Sequence, residues 1–240
     1  MQLSLTKHIF CSLAMAALVS CQSASERDAP VVDLPSIEFP IEINGALDEG
    51  WEIYVMRYDN CVTQEKSHCE VFDRAKKDTY IAQLLANTVI QQKSIEELSG
   101  LTQSEFDAFV ERQTKENDEW LNERIQSRGW FNISDYGADA DKAAFFIVQH
   151  SGDVNFQRKI LEVLKPLVAA DETSKSSFAL LSDRIAIKDG LEQLYASQGE
   201  CSGDGAWTPF PVVSGDVDER RIEMTLEPLA DYVSRMSSFC

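Results

Sequence analysis

The sequence predicts a mainly α-helical protein, an irregular helical bundle with a small β-hairpin appendage near the C-terminus. Three observations predict it. Apolar residues recur at helical spacing through most of the chain up to about residue 190. Two S/T-x-x-E capping boxes, Ser94 with Glu97 and Thr102 with Glu105, stand directly before such stretches. Beyond them, a Gly-rich segment lies between two short runs able to form strands. No fixed period repeats, which argues against a solenoid.

The first segment lies outside the fold. Basic Lys7 and His8 lead into an apolar run from Ile9 to Val19, which closes as Leu18-Val19-Ser20-Cys21. That is a secretory signal with the cleavage pattern of a bacterial lipoprotein. Residues 1–20 are the expected signal peptide, and Cys21 is the expected lipidated first residue of the mature chain. Gln22 rather than Asp follows it, which points to the outer membrane and the periplasm. Residues 21–45, with Asp28, Pro30, Pro35 and Pro40, read as a tether. Residues 46–240 are expected to form a single domain.

Within that domain, Leu47, Trp51, Val55, Tyr58 and Val62 suggest a helix over 47–59. Ala75, Ile81, Leu84, Leu85, Thr88 and Val89 give a stronger stripe over 73–92. Gly100 closes the short helix begun at Ser94. The next helix is expected over 103–128, burying Phe106, Phe109, Val110, Trp120, Leu121 and Ile125 and ending at Gly129. Residues 140–150 are apolar nearly all round, the pattern of a central buried helix, with Gly152 as its terminator. Asp153 caps a helix that buries Phe156, Ile160, Leu161, Leu164 and Val168, and Pro166 is expected to kink it or end it near Lys165. Another helix spans 174–187. Residues 191–197 and 207–213 are expected to pair as the hairpin, and short helices over 218–225 and 228–237 finish the chain.

Composition narrows the function. An apolar fraction of 44% suffices for a core. A net charge of −18 excludes a phosphate-neutralising face, so no nucleic-acid partner is expected, and anionic headgroups are disfavoured likewise. No second apolar run approaches the roughly 20 residues that span a bilayer, so attachment rests on the lipid at Cys21. Of six cysteines, Cys11 lies in the signal and Cys21 carries the lipid. The remaining Cys61, Cys69, Cys201 and Cys240 suggest two disulfides in an oxidising compartment. Three connectivities exist, of which Cys61–Cys69 with Cys201–Cys240 is favoured. His68 adjoins Cys69, but no C-x-x-C spacing occurs, so neither metal nor cofactor is expected.

P-loop, GxGxxG, GxSxG and HExxH patterns are all missing. The chemistry-bearing candidates are isolated polar residues on apolar segments. His150 closes the most apolar helix, where it is either a capping histidine bonded to a carbonyl or an acid–base group. Asp183 and Arg184 interrupt the apolar string around Leu181 and Ile185 and need partners there. They form either a structural ion-pair network or a set in which Asp183 orients His150 and Arg184 clamps an anion. Gln193, Tyr195 and Gln198 form either a polar hairpin surface or a ligand-binding face. Arg220 and Arg221 follow Asp216 and Asp218, either as helix capping and ion pairing or with Arg221 as part of the ligand-binding set of Gln193, Tyr195 and Gln198.

These residues also occur in a distinctive order. Gly129-Trp130, Gln149-His150 with Gln157, Leu181-Ser182-Asp183-Arg184-Ile185, Gln193 to Gln198, Pro209-Phe210-Pro211, Val217-Asp218 to Arg221, and Leu226-Glu227-Pro228-Leu229 with Tyr232 follow one another. The stretch from Trp120 to Tyr232 resembles a widespread bacterial family known only as a conserved domain of unknown function. Its pattern runs QH, L-[TS]-D-R-I, Q-x-Y-G-T-Q, V-D-x-R-R and GL-x-PL-x-x-Y. Phe131 stands here for a usual proline, Ala196 and Thr225 for usual glycines, and Ser197 for the threonine. The resemblance implies that His150, Asp183, Arg184, Gln193, Tyr195, Gln198 and Arg221 form one constellation; it brings no activity or cofactor.

Two function classes follow. One is a binding or scaffold lipoprotein of the envelope, taking a small polar ligand or a protein partner. The other is a hydrolase-type enzyme with His150 as general acid/base, Asp183 orienting it, and Arg184 or Arg221 stabilising negative charge.

Overall fold

A computed structural model describes residues 66–90, 92–203 and 205–240. The signal segment, Cys21, the tether, the helix expected over 47–59 and Cys61 lie outside the described residues. The described part is mainly helical, with one small antiparallel hairpin near the C-terminus. None of its helices is long and apolar enough to cross a membrane.

Helix α1 (Lys66–Ile90) begins about two turns before the expected start, because Val71 and Phe72 extend the buried stripe toward its N-terminus. Both capping boxes form. Ser94 starts α2 (Ile95–Ser99) and Thr102 starts α3 (Gln103–Arg128), each bonding reciprocally with the glutamate three residues on. Gly100 supplies the left-handed residue between them, at φ 73°. A one-turn helix, α4 (Ile133–Tyr136), lies where no element is expected.

Helix α5 (Ala138–His150) sits at the centre, with Ala140, Ala143, Ala144 and Val148 fully buried. It packs along α1 and against α3 and α6 (Val154–Ala169), while α6 pairs with α7 (Lys175–Lys188). Leu121, Phe131, Ile160, Leu164 and Leu181 complete the main core from these neighbours. Asp141 binds the bundle together: its carboxylate accepts from Trp130 Nε1 at 2.6 Å, Thr173 Oγ1 at 2.5 Å and Ser174 N at 3.0 Å. That contact explains the Gly-Trp turn after α3.

Two expectations need correction. Pro166 does not end α6 at Lys165, since the helix runs to Ala169. A proline within the last turn removes a single helical bond, and one further turn tolerates that loss. Segment 191–197 is not a strand. The hairpin pairs β1 (Gly199–Cys201) with β2 (Trp207–Pro209), and only Gln193 bridges across to Val212. The strand falls inside the Gly-rich segment because Gly199 has no side chain; a β-carbon there would overlap the Thr208 carbonyl and the Trp207 ring. Helices α8 (Val217–Glu223) and α9 (Leu229–Ser237) follow, and the Cys201–Cys240 disulfide joins the hairpin to the C-terminus beside Trp207 and Tyr232. Cys69 is also disulfide-bonded.

Candidate functional site

The candidate residues separate into two polar assemblies. The first is built around the loop between α7 and β1. Asp183, fully buried on α7, receives the backbone amides of Leu194 at 2.8 Å, Tyr195 at 3.1 Å and Ser197 at 3.0 Å. Burial pushes its carboxyl above the ordinary range, and these amides pull the other way. Gln193 substitutes for a backbone pair: Oε1 accepts from Gln198 N at 2.8 Å, and Nε2 donates to Gln198 O at 2.8 Å and Phe210 O at 2.9 Å. The Gln198 side chain turns to Ser197 Oγ at 3.1 Å.

Arginines and Tyr232 close the assembly from the other side. Arg221 is fully buried, donating from Nη1 to Tyr195 O at 2.5 Å and from Nε to Glu227 O at 2.7 Å. Its guanidinium lies over the Tyr232 ring, 4.8 Å from the centroid, and the Tyr232 hydroxyl donates to Ser197 O at 2.9 Å. Arg220 holds the carbonyls of Leu194 and Val213, and Asp218 receives Leu229 N at 2.7 Å. Arg184 is 4% exposed, and burial brings its guanidinium down to about 10, partly opposed by Tyr232. Asp183, Gln193, Tyr195, Gln198 and Arg221 therefore share one place, whereas His150, which the resemblance groups with them, lies elsewhere. Apart from the contact of Gln198 with Ser197 Oγ, these hydrogen bonds run to backbone groups of the loop and of the segments packed on it, so this assembly is a latch.

His150 belongs to the second assembly. The C-terminus of α5 brings its Nδ1 onto Asp78 of α1, so Asp78, and not Asp183, is the carboxylate that orients it. Nδ1 is thus taken up by Asp78, and no described residue bonds to Nε2. The imidazole is 22% exposed and stacks on Phe146 at 6.0 Å. Next in the chain, the buried Ser151 donates its hydroxyl to Asp118 Oδ2 on α3 at 2.6 Å. Burial pushes the Asp118 carboxyl up to about 7; the Ser151 hydroxyl opposes this, and the charges of Asp153, Asp78 and Glu119 add to it. Gln157, fully buried, donates from Nε2 to Val148 O at 3.0 Å and Ser151 O at 3.1 Å, fixing the turn that carries both residues.

Asp78 and Asp118 escape sequence reading because nothing local marks them. Each does sit in the apolar stripe of its helix, Asp78 with Val71, Ala75 and Ile81, and Asp118 with Leu121 and Ile125. A carboxylate in register with a buried stripe was the available signal. His68, on α1, packs on Phe72 and Tyr136. Among the described residues no group of three or more His, Cys, Asp or Glu is arranged to hold a metal ion.

Neither a curated protein nor a solved structure matches this chain. A family model does match, over residues 76–238, a span that includes both assemblies and ends near the last turn of α9. The chain therefore belongs to the family of unknown function DUF6624.

Proposed function

We propose that this is a lipid-anchored protein of the bacterial envelope whose domain binds a small polar ligand at His150. The observation that carries the binding reading is the posture of that histidine. Asp78 holds the ring through Nδ1, while Nε2 keeps a partly exposed edge with no partner among the described residues. That exposed edge leaves a ring nitrogen open to a small molecule arriving from solvent. Anchoring rests on the Leu18-Val19-Ser20-Cys21 pattern and on Gln22, which favour the outer membrane.

The test is a thermal-shift screen of small anionic, neutral and cationic polar compounds against the full chain in detergent. The reading expects a compound that raises the Tm of the wild type and leaves a folded His150→Ala variant unmoved. Equal shifts in both proteins, or none in either, would end it. Membrane fractionation tests the anchor, since Cys21→Ser should move the chain to the soluble fraction.

A second reading, a hydrolase-type enzyme, draws on one further observation. His150 Nε2 is available as a base, and Asp118 carries a proton near neutrality in the same assembly. In that version Asp78 positions His150, while Asp183 and Arg184 stay in the latch.

A further inference from the structure

The buried apolar residues of the bundle fall into two separate clusters. The main one draws on α1, α3, α5, α6 and α7. The second is Tyr80, Ile81, Leu84, Ile95, Phe106 and Phe109, from the far half of α1, from α2 and from the first half of α3. Both long helices run unbroken through the two clusters, so these segments form a distal lobe. None of its buried apolar residues comes from α5, α6 or α7.

Between the clusters both helices turn polar. Asp78 of α1 stands between Ala75 and Tyr80, and Gln113, Asn117 and Asp118 of α3 stand between Phe109 and Leu121. Asn117, 2% exposed, accepts from Arg74 Nη1 at 3.0 Å and from Gln113 Nε2 at 3.1 Å. The turn after α5 seals this layer, with His150 on Asp78 and Ser151 on Asp118. The lobe is thus joined to the main core by two helices and a seam of side-chain hydrogen bonds. Cooperative units that open below the global unfolding free energy divide at places of this kind.

Charge in the seam is unbalanced. Asp118 meets Asp78 from α1, Asp153 from the start of α6 and Glu119 on its own helix. The cations on the same elements are already engaged: Arg74 by Asn117 and Glu70, Lys159 by Asn122, while His150 bonds Asp78. Lys188 of α7 feels Asp153. Once ionised, Asp118 keeps one oxygen on Ser151, while Oδ1 is buried with no donor among the described residues. Loss of its proton leaves a poorly solvated charge beside other carboxylates, and admitting water to the seam relieves it.

We propose that the distal lobe opens as a unit, separately from the main core, and that ionisation of Asp118 in the seam favours the open state. The closed-state carboxyl lies at about 7 against an ordinary 3.8, so between those values the closed lobe holds a proton that the open lobe releases. Closure is strongest at low pH, weakens as pH rises toward 7 and levels off above it. The device stands independently of any ligand at His150.

Hydrogen–deuterium exchange of the full chain in detergent tests it, at pH 5 and pH 7.5, corrected for the intrinsic pH dependence of exchange. Amides of residues 95–112 should lose roughly tenfold or more in protection at the higher pH, while those of residues 140–164 change by less than about twofold. Asp118→Asn, shown to be folded by unchanged protection over 140–164, should cut the response of the lobe to below about threefold. Glu111→Gln, which removes an exposed carboxylate from the same half of α3, should keep it. The wild-type contrast between the two segments decides separate opening by itself, whatever the folding of the variant. Equal loss in both segments, no loss in the lobe, a gain there, or a wild-type response in Asp118→Asn would each overturn the proposal. An equally flattened response in Glu111→Gln would overturn it too, by reducing it to surface charge.

Discussion

Thr225 adopts φ 55° and Ala196 φ 53°, and both stand where the family pattern carries glycine. Left-handed backbone costs an L-residue roughly 1–2 kcal/mol, most for a β-branched one, and glycine almost nothing. The glycines of the family are thereby explained as backbone geometry: one lets the loop on Asp183 turn, the other lets α8 end over Arg221. Leu226 N, just past Thr225, bonds to Arg221 O at 2.8 Å. Thr225 is exposed, so its replacement removes little packing. Thr225→Gly should stabilise by about 0.5–1 kcal/mol after the entropy of an added glycine is subtracted, read as an increased urea midpoint. Asp183→Asn has the opposite sign. It sets an amide N–H₂ against backbone N–H groups where a carboxylate now receives them, and should cost about 2–4 kcal/mol in the same measurement.

At the scale of elements, the turn from α5 into α6 concentrates the titratable chemistry. Asp118 of α3 reaches it through Ser151, Asp78 of α1 through His150, and Asp153 caps α6 from it. The folded Asp118 carboxyl lies near 7 against an ordinary value of about 3.8. Between those values the folded state holds a proton that the unfolded state has released, so this group weakens stability as pH rises through that window. Asp118→Asn should flatten the decline of Tm between about pH 4 and 7, leaving a slope from Asp141 and Asp183, which burial raises likewise. A slope unchanged in the variant would contradict the assignment.

The helices were legible because their signals are local. Ser94 with Glu97, Thr102 with Glu105, and Asp153 each complete their bonds within three residues. The hairpin was not, because Gln193-Leu194-Tyr195 alternates like a strand while Asp183, ten residues upstream, draws its amides into a turn. Asp78 and Asp118 were invisible for a related reason: their partners are 72 and 33 residues away, where no spacing rule reaches.

Across the whole molecule, the two assemblies divide the labour. The latch of Asp183, Gln193, Arg221 and Tyr232, with the Cys201–Cys240 bridge, fixes the hairpin and the last two helices. The bundle of α1, α3, α5 and α6 holds His150 at an edge. Most of the residues that give the family its recognisable order belong to the first assembly, so the order reports a way of folding, while the ligand chemistry is assigned to the second. A variant of one assembly should therefore leave the other undisturbed. The measurement that tests this division most directly is the imidazole ¹⁵N spectrum of His150 at about pH 9, assigned with His150→Gln, in the wild type, Asp78→Asn and Asp183→Asn. The expected spectrum has the proton on Nδ1, changes in Asp78→Asn and is unaltered in Asp183→Asn. A proton on Nε2, or an imidazole that responds to Asp183→Asn and ignores Asp78→Asn, would contradict the account.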